Sequence, residues 1–232
     1  MIVKTVFDYK ETHAFVITDE KYYPEAVKGM LLSREQIEEE INVNKLFLTS
    51  RKPIGCITDS ETCKKMSRAV KSAGVGPMAA VAGAIADAGV AKTLVSGSSH
   101  TVIENGGDIS LAVDKPCVVG IWAPTSEFQN MAFEIEAGSR MGICSSSGLF
   151  GHSFSYGKCD LATVVGTDGC TTDAFATALA NTIKAEKDLE AAFSILEGKN
   201  EVWGALAIKG KNVALYGDLP KIVRYKDRGS TL

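Results

Sequence analysis

Apolar and polar positions along the chain alternate in short runs, and each run predicts an element. Residues 2–7 (I-V-K-T-V-F) and 14–18 (A-F-V-I-T) read as a pair of strands joined by a turn between Asp8 and Thr12. Pro24 suits the first turn of a helix that runs to about Asn42. Val27, Met30, Leu31, Ile37 and Ile41 lie near helical spacing there, and the acidic run 38–40 forms a solvated face. After a short apolar segment at 45–50, Pro53 and Gly55 break the chain. Asp59 or Ser60 then caps a second helix, T-C-K-K-M-S-R-A-V-K-S-A, which Gly74, Gly76 and Pro77 end. Residues 78–89 make a third helical stretch built from alanine and glycine. Thr93 to Ser96 reads as a short strand.

The second half is mostly strand. Two runs flank Asn105-Gly106-Gly107-Asp108, a hairpin signal. Residues 117–122 and 133–137 are further strands. In 141–148 (M-G-I-C-S-S-S-G) clustered hydroxyls follow a strand, which suits either turn chemistry or a phosphate or ribose pocket. Residues 149–158 read as a loop. Residues 202–208 and 213–215 form a hairpin, 184–200 is charged and helical, and the tail from Lys221 is polar and frayed.

The stretch 160–183 organises the rest. A β-branched run at 161–165 leads through a turn into a helix that starts at Thr171 or Thr172, where a threonine hydroxyl caps a free amide. Asp173 then falls in the first turn, and Thr177 lies one turn later on the same face. A carboxylate and a hydroxyl so placed suit a hard cation such as Mg²⁺, or an ordinary capped helix. Gly83, inside a helix, costs about 1 kcal/mol against alanine. It implies a close neighbour: a strand, a helix or a flat cofactor.

Composition narrows the class. The 232 residues carry 45% hydrophobic side chains and a net charge of −3. That is enough chain for a stable core, and it gives no electrostatic case for nucleic acid or a membrane surface. The six cysteines include no C-x-x-C pair. With no basic, apolar leader in the sequence given and no run of 18 apolar residues, the expectation is a cytoplasmic protein with reduced thiols.

Three strings in chain order, E-N-G-G-D-I, C-S-S-S-G and T-D-A-F-A-T-A-L, resemble the motifs of ApbE-like proteins, flavin-binding Mg²⁺-dependent FMN transferases. The string A-G-V-G-P-M-A-A-V-A-G-A-I-A at 73–86 looks like the signature of a prokaryotic branch of that superfamily. The resemblance implies an α+β fold, with mixed sheets and packed helices in two interlocked lobes forming one domain over 1–232. It implies a metal site at Asp173 and Thr177, and a flavin site (FAD or FMN) at Asn105, Gly106, Gly107 and Asp108, with Ser146, Ser147 and Gly148 beside it.

The chain also departs from the family pattern. Where the transferases carry H-I-I-D-P-x-T-G, it has G-H-S-F-S-Y-G-K-C-D, so only His152 stands in for the histidine. A Lys-Gly pair of the transferases is replaced by Gly76-Pro77-Met78-Ala79, and the transferases are usually exported. The expectation is a flavin- or nucleotide-binding protein with a divalent cation, in which FMN transfer is left open. His152 or Asp108 is the candidate base. A second reading is a sulfur-handling protein in sulfide assimilation towards homocysteine, with Cys144 or Cys170 as the reactive thiol. A third is a non-catalytic binding module. The partner is a small molecule in the first reading, and a homo-oligomer stays open.

Overall fold

The structure is a computed structural model and describes residues 1–123, 128, 130–148 and 158–224. Eight strands form one antiparallel sheet in the order β1 (Ile2–Tyr9), β2 (Thr12–Asp19), β3 (Thr101–Asn105), β4 (Asp108–Ala112), β7 (Arg140–Ser146), β8 (Leu161–Gly166), β9 (Val202–Lys209) and β10 (Asn212–Gly217). Three further strands, β5 (Cys117–Ile121), β6 (Met131–Ile135) and β11 (Lys221–Arg224), form a small antiparallel sheet with β6 in the middle.

Alternation along each strand divides the large sheet between two cores. Val16 and Ile103, paired across β2 and β3, face the helices, while their neighbours Ile17 and Val102 face the small sheet. Phe133 and Ile135 of β6 fill the second core and are fully buried. Each such side chain contributes about 1.5–3 kcal/mol by leaving water. The result is an α+β stack of helices, a large sheet and a small sheet.

On the helical side lie α1 (Tyr23–Val43), the short α2 (Lys45–Thr49), α3 (Glu61–Ala73), α4 (Val81–Val95) and α5 (Gly169–Thr182). Ser60 caps α3 by accepting from the Cys63 amide at 3.1 Å, and Gly74, at φ +77°, stops it in the left-handed region. A 3₁₀ turn, Pro77–Ala80, runs straight into α4. Pro77–Val95 is 19 residues long and apolar enough to cross a membrane by length and composition. Here it is a core element: Ala84, Ala86 and Val90 pack in the same cluster as Met30 of α1 and Ala174 of α5.

Several expectations need correction. Thr93 to Val95 is the last turn of α4, not a strand; a short β-branched run does not distinguish the two, and the helix already under way continues through it. The hydroxyl run after Cys144 is strand rather than turn, because Ser145 and Ser146 pair with Thr163 and Ala162 of β8. The stretch 184–200 holds two 3₁₀ turns around the single-turn helix α6 (Leu189–Ala192). The start of the polar tail, Lys221–Arg224, is not frayed but forms β11, which completes the small sheet against β6. The loop expected at 149–158 lies almost wholly outside the described residues.

Candidate functional site

The helix carrying Asp173 begins a turn earlier than its threonines suggest. Asp168 is the cap and accepts from the Thr171 amide at 3.0 Å, so α5 starts at Gly169. Asp173 therefore sits in the second turn, and its first-turn placement is corrected. The two amides ahead of Thr171 are bound from another helix: Gly169 and Cys170 donate to the two carboxylate oxygens of Asp87 in α4, at 2.8 and 2.9 Å. The Thr172 amide donates to the Asp168 carbonyl at 3.1 Å. All four leading amides of α5 are thus satisfied inside the protein, and none is left to receive a phosphate.

Asp173 performs the same task in the other direction. Its Oδ2 accepts from the Gly83 amide at 3.0 Å, and the Ala82 amide also bonds to it, so it holds the start of α4. Asn105 Nδ2 donates to the Ala82 carbonyl at 3.1 Å. The α4 start is the point where the β3–β4 hairpin and α5 meet. Gly83 is required there: a Cβ would fall inside the Gly169 carbonyl of α5. Its close neighbour is a helix backbone, as one of the sequence-based alternatives had it.

The hairpin turns as its sequence demands, with Gly106 and Gly107 at φ +67° and +100°. The Gly107 amide donates to Glu104 Oε1 at 2.9 Å, so that donor is already used. Asp108 pairs across the strands with Cys144 and shares the helical face of the sheet with it. Ser146 lies two residues further along β7, past the end of β4 and level with the glycine turn. The Gly148 amide is tied to the Cys159 carbonyl. Asn105, Asp108, Asp173 and Thr177 are thus brought to one place, with Ser146 at its edge. His152 lies outside the described residues.

This place is electrostatically unusual. Asp108 Oδ1 is buried with no hydrogen-bond partner. Burial pushes the Asp108 carboxyl up to about 7, against the pull of the Cys144 thiol and the Ser145 amide. Burial, then the nearby Asp108 charge, raises Asp173 well above the usual carboxylate range despite its two amide donors. Neither carboxylate forms an ion pair among the described residues. Asp173, Thr177 and Asp108 keep 7%, 8% and 9% of their surface, while Asp108 Oδ1 itself is covered.

Two buried carboxylates, one with an orphaned oxygen and both without a counter-charge, suit a hard cation. Among the described residues no three acidic, cysteine or histidine side chains converge as a complete ligand set. The donors therefore suit a cation that draws its remaining oxygens from a phosphate and water. Two surface cavities, of about 250 and 1030 Å³, lie elsewhere: one beside Tyr22 and His100, the other beside Trp203 and Tyr216.

Cys144 and Cys170 are poorly placed for thiolate chemistry. Burial raises the Cys144 thiol far above its ordinary range, and the charges of Asp108 and Asp173 add to this. Cys170 is raised in the same way, by burial and then by Asp87, so its position at a helix start does not activate it.

The family described as AbpE bacteria matches residues 7–193 of this chain. The chain belongs to this ApbE-like family. It is 43% identical to a UPF0280 protein of Archaeoglobus fulgidus over 221 residues, 93% of this chain and 92% of that protein. It is 38% identical to a UPF0280 protein of Methanothrix thermoacetophila, covering 96% and 95% of the two chains. Its fold is similar to that of the ApbE protein from Thermotoga maritima, with a TM-score of 0.65 at 12% identity over 97% of both chains. The flavinyl transferase ApbE from Pseudomonas stutzeri is similar at a TM-score of 0.56 and 12% identity, over 93% of this chain and 94% of that one. These likenesses establish the ApbE-like α+β fold.

Proposed function

We propose that this ApbE-like chain binds a flavin nucleotide together with a divalent cation, most simply Mg²⁺, where the β3–β4 hairpin meets α4 and α5. The reading rests on one observation above all: Asp108 and Asp173 are buried carboxylates with no basic partner among the described residues, and one Asp108 oxygen has no hydrogen bond. The family and the solved flavin transferases of the same fold point to the ligand class.

In this reading Asp173, Asp108 and Thr177 supply oxygen ligands. Asn105 and the glycine turn form the wall against which the nucleotide lies, and Ser146 and Ser147 offer hydroxyls to its polar groups. A bound divalent cation would neutralise a pyrophosphate and polarise its bridging bond. Without the cation the Asp108 carboxyl lies near neutrality, and a bound cation would hold it ionised as a ligand. FMN transfer is the activity proposed, in a cytoplasmic setting. The α5 amides take no part in it, being occupied already.

Calorimetric titration of FAD with and without Mg²⁺ tests this reading. The expected result is binding at least about tenfold tighter with the cation, a coupling of about 1.4 kcal/mol, and loss of that coupling in Asp173→Ala. Absence of heat at millimolar FAD under both conditions removes the proposal. FAD binding that ignores the cation and survives Asp173→Ala moves the site elsewhere.

A further inference from the structure

We infer that Asp87 and Lys65 are positioning residues for Asp173: their ion pair ties the second turn of α4 to the first turn of α5 and so fixes where the Asp173 carboxylate stands. The inference rests on the cation site proposed above and adds to it two residues that touch neither cation nor nucleotide.

Three observations carry it. Asp87 uses both carboxylate oxygens on α5, one on the Gly169 amide and one on the Cys170 amide, and its side chain is mostly covered, with 11% of its surface exposed. Lys65 of α3 reaches the same carboxylate at 2.7 Å and Asp168, the cap of α5, at 3.2 Å. One ammonium therefore joins three helices at a single point. The backbones also touch there, since Gly83 and Gly169 leave no room for a side-chain atom between them. Asp173 lies one helical turn beyond Gly169, and its grip on Gly83 closes the loop of contacts. A shift of α5 along α4 would break the Asp87 bonds and move Asp173 at the same time. Interfaces packed this closely change in steps rather than by smooth deformation. Loss of an outer partner of this kind typically weakens a metal site about 10–100-fold.

The test compares Asp87→Asn, Lys65→Met and Lys65→Arg with the native chain. Mg²⁺ affinity is read by calorimetry, and amide hydrogen exchange is followed at residues 82 and 83, whose N–H groups Asp173 holds. Ile135→Ala, in the core on the opposite side of the sheet, controls for simple loss of stability. Expected are faster exchange at 82–83 and about 10–100-fold weaker Mg²⁺ binding in Asp87→Asn and Lys65→Met. Lys65→Arg should restore most of both, and Ile135→Ala should lower Tm without changing the affinity. Unchanged exchange at 82–83 in Lys65→Met and in any folded Asp87→Asn overturns the inference. So does an affinity that falls equally in Ile135→Ala. If the native chain binds no Mg²⁺, the cation site itself fails, and the exchange measurement still decides whether Asp87 holds Asp173 in place.

Discussion

Asp87 and Asp173 cap each other's helices. Asp87, in α4, receives the first amides of α5, and Asp173, in α5, receives amides at the start of α4. Each lies four residues after a glycine, Gly83 or Gly169, and the two glycines press backbone to backbone. The pair differs in charge compensation. Asp87 has Lys65, whose ammonium is held above the usual lysine range by Asp87 and Asp168 in spite of its burial. Asp173 has the Asp108 carboxylate instead. The symmetry is structural, and its breaking marks the site.

That imbalance predicts a pH response. Asp108 has a folded value of about 7, above its unfolded one near 4. Its favourable contribution is complete below the unfolded value and is lost as pH rises through the folded one. By linkage, roughly 4 kcal/mol of stability disappears between pH 4 and pH 8 when no cation is bound. Thermal scans should show Mg²⁺ raising Tm strongly at pH 8 and little at pH 5. Asp108→Asn should raise the metal-free Tm at pH 8 and abolish the Mg²⁺ effect. An equal Mg²⁺ effect at both pH values would count against Asp108 as a ligand.

A different carboxylate should behave in the opposite way. Glu40 is not on a solvated face as the acidic run 38–40 suggests: it is fully buried in α1, accepts from the Ile57 and Thr58 amides, the Thr58 hydroxyl and Asn44, and so pins the loop before α3. Burial opposes ionisation, but these donors prevail and hold its carboxyl below the usual range. The stabilisation is present above about pH 4.5 and is lost as pH falls through the lower folded value. Glu40→Ala strands two amides and should cost about 2–4 kcal/mol at pH 7. Denaturant titration at pH 7 and pH 3 measures both parts, and the gap between variant and native should shrink at pH 3.

Much of the scaffold is written locally, and much of the site is not. The Asn105 to Asp108 hairpin is legible because only residues tolerant of positive φ make that turn, and α3 because Ser60 and Gly74 mark its ends. Ser145 and Ser146 mislead because hydroxyls favour turns in isolation, whereas here cross-strand pairing with β8 decides. The start of α5 is misread for a related reason. Asp168 and the threonines are all competent caps, and what lets Gly169 and Cys170 be helical is Asp87, which is 82 residues away from Gly169. Asp87 carries no motif of its own. The available signal was the repeated spacing of glycine and aspartate in 83–87 and 169–173, which means something only once α4 and α5 are known to touch.

The thiols offer a direct check on the sulfur-handling alternative. Cys63, Cys144, Cys159 and Cys170 are buried, while Cys56 and Cys117 are partly exposed. An aromatic disulfide reagent should therefore titrate two thiols quickly in the native protein and six after denaturation. Neither fast thiol should be Cys144 or Cys170. Rapid modification of Cys144 on mass analysis would revive a persulfide role for it.

Gly83→Ala separates local propensity from packing. In an isolated helix the change is favourable by about 1 kcal/mol. In this fold the new methyl would overlap the Gly169 carbonyl and the Cys170 amide, both backbone atoms with no side-chain rotation to relieve the clash. Overpacking of that kind costs about 1–3 kcal/mol, so the net sign should be destabilising. The displacement also acts on function, because the atoms pushed apart lie between the two reciprocal caps. Gly83→Ala should lower Tm and weaken Mg²⁺ binding together, whereas Gly89→Ala, which crowds the Ile103 and Met30 side chains on the other side of α4, should lower Tm alone. A stabilised Gly83→Ala variant would mean that α4 and α5 do not approach as described, and the proposed placement of Asp173 would fall with that contact.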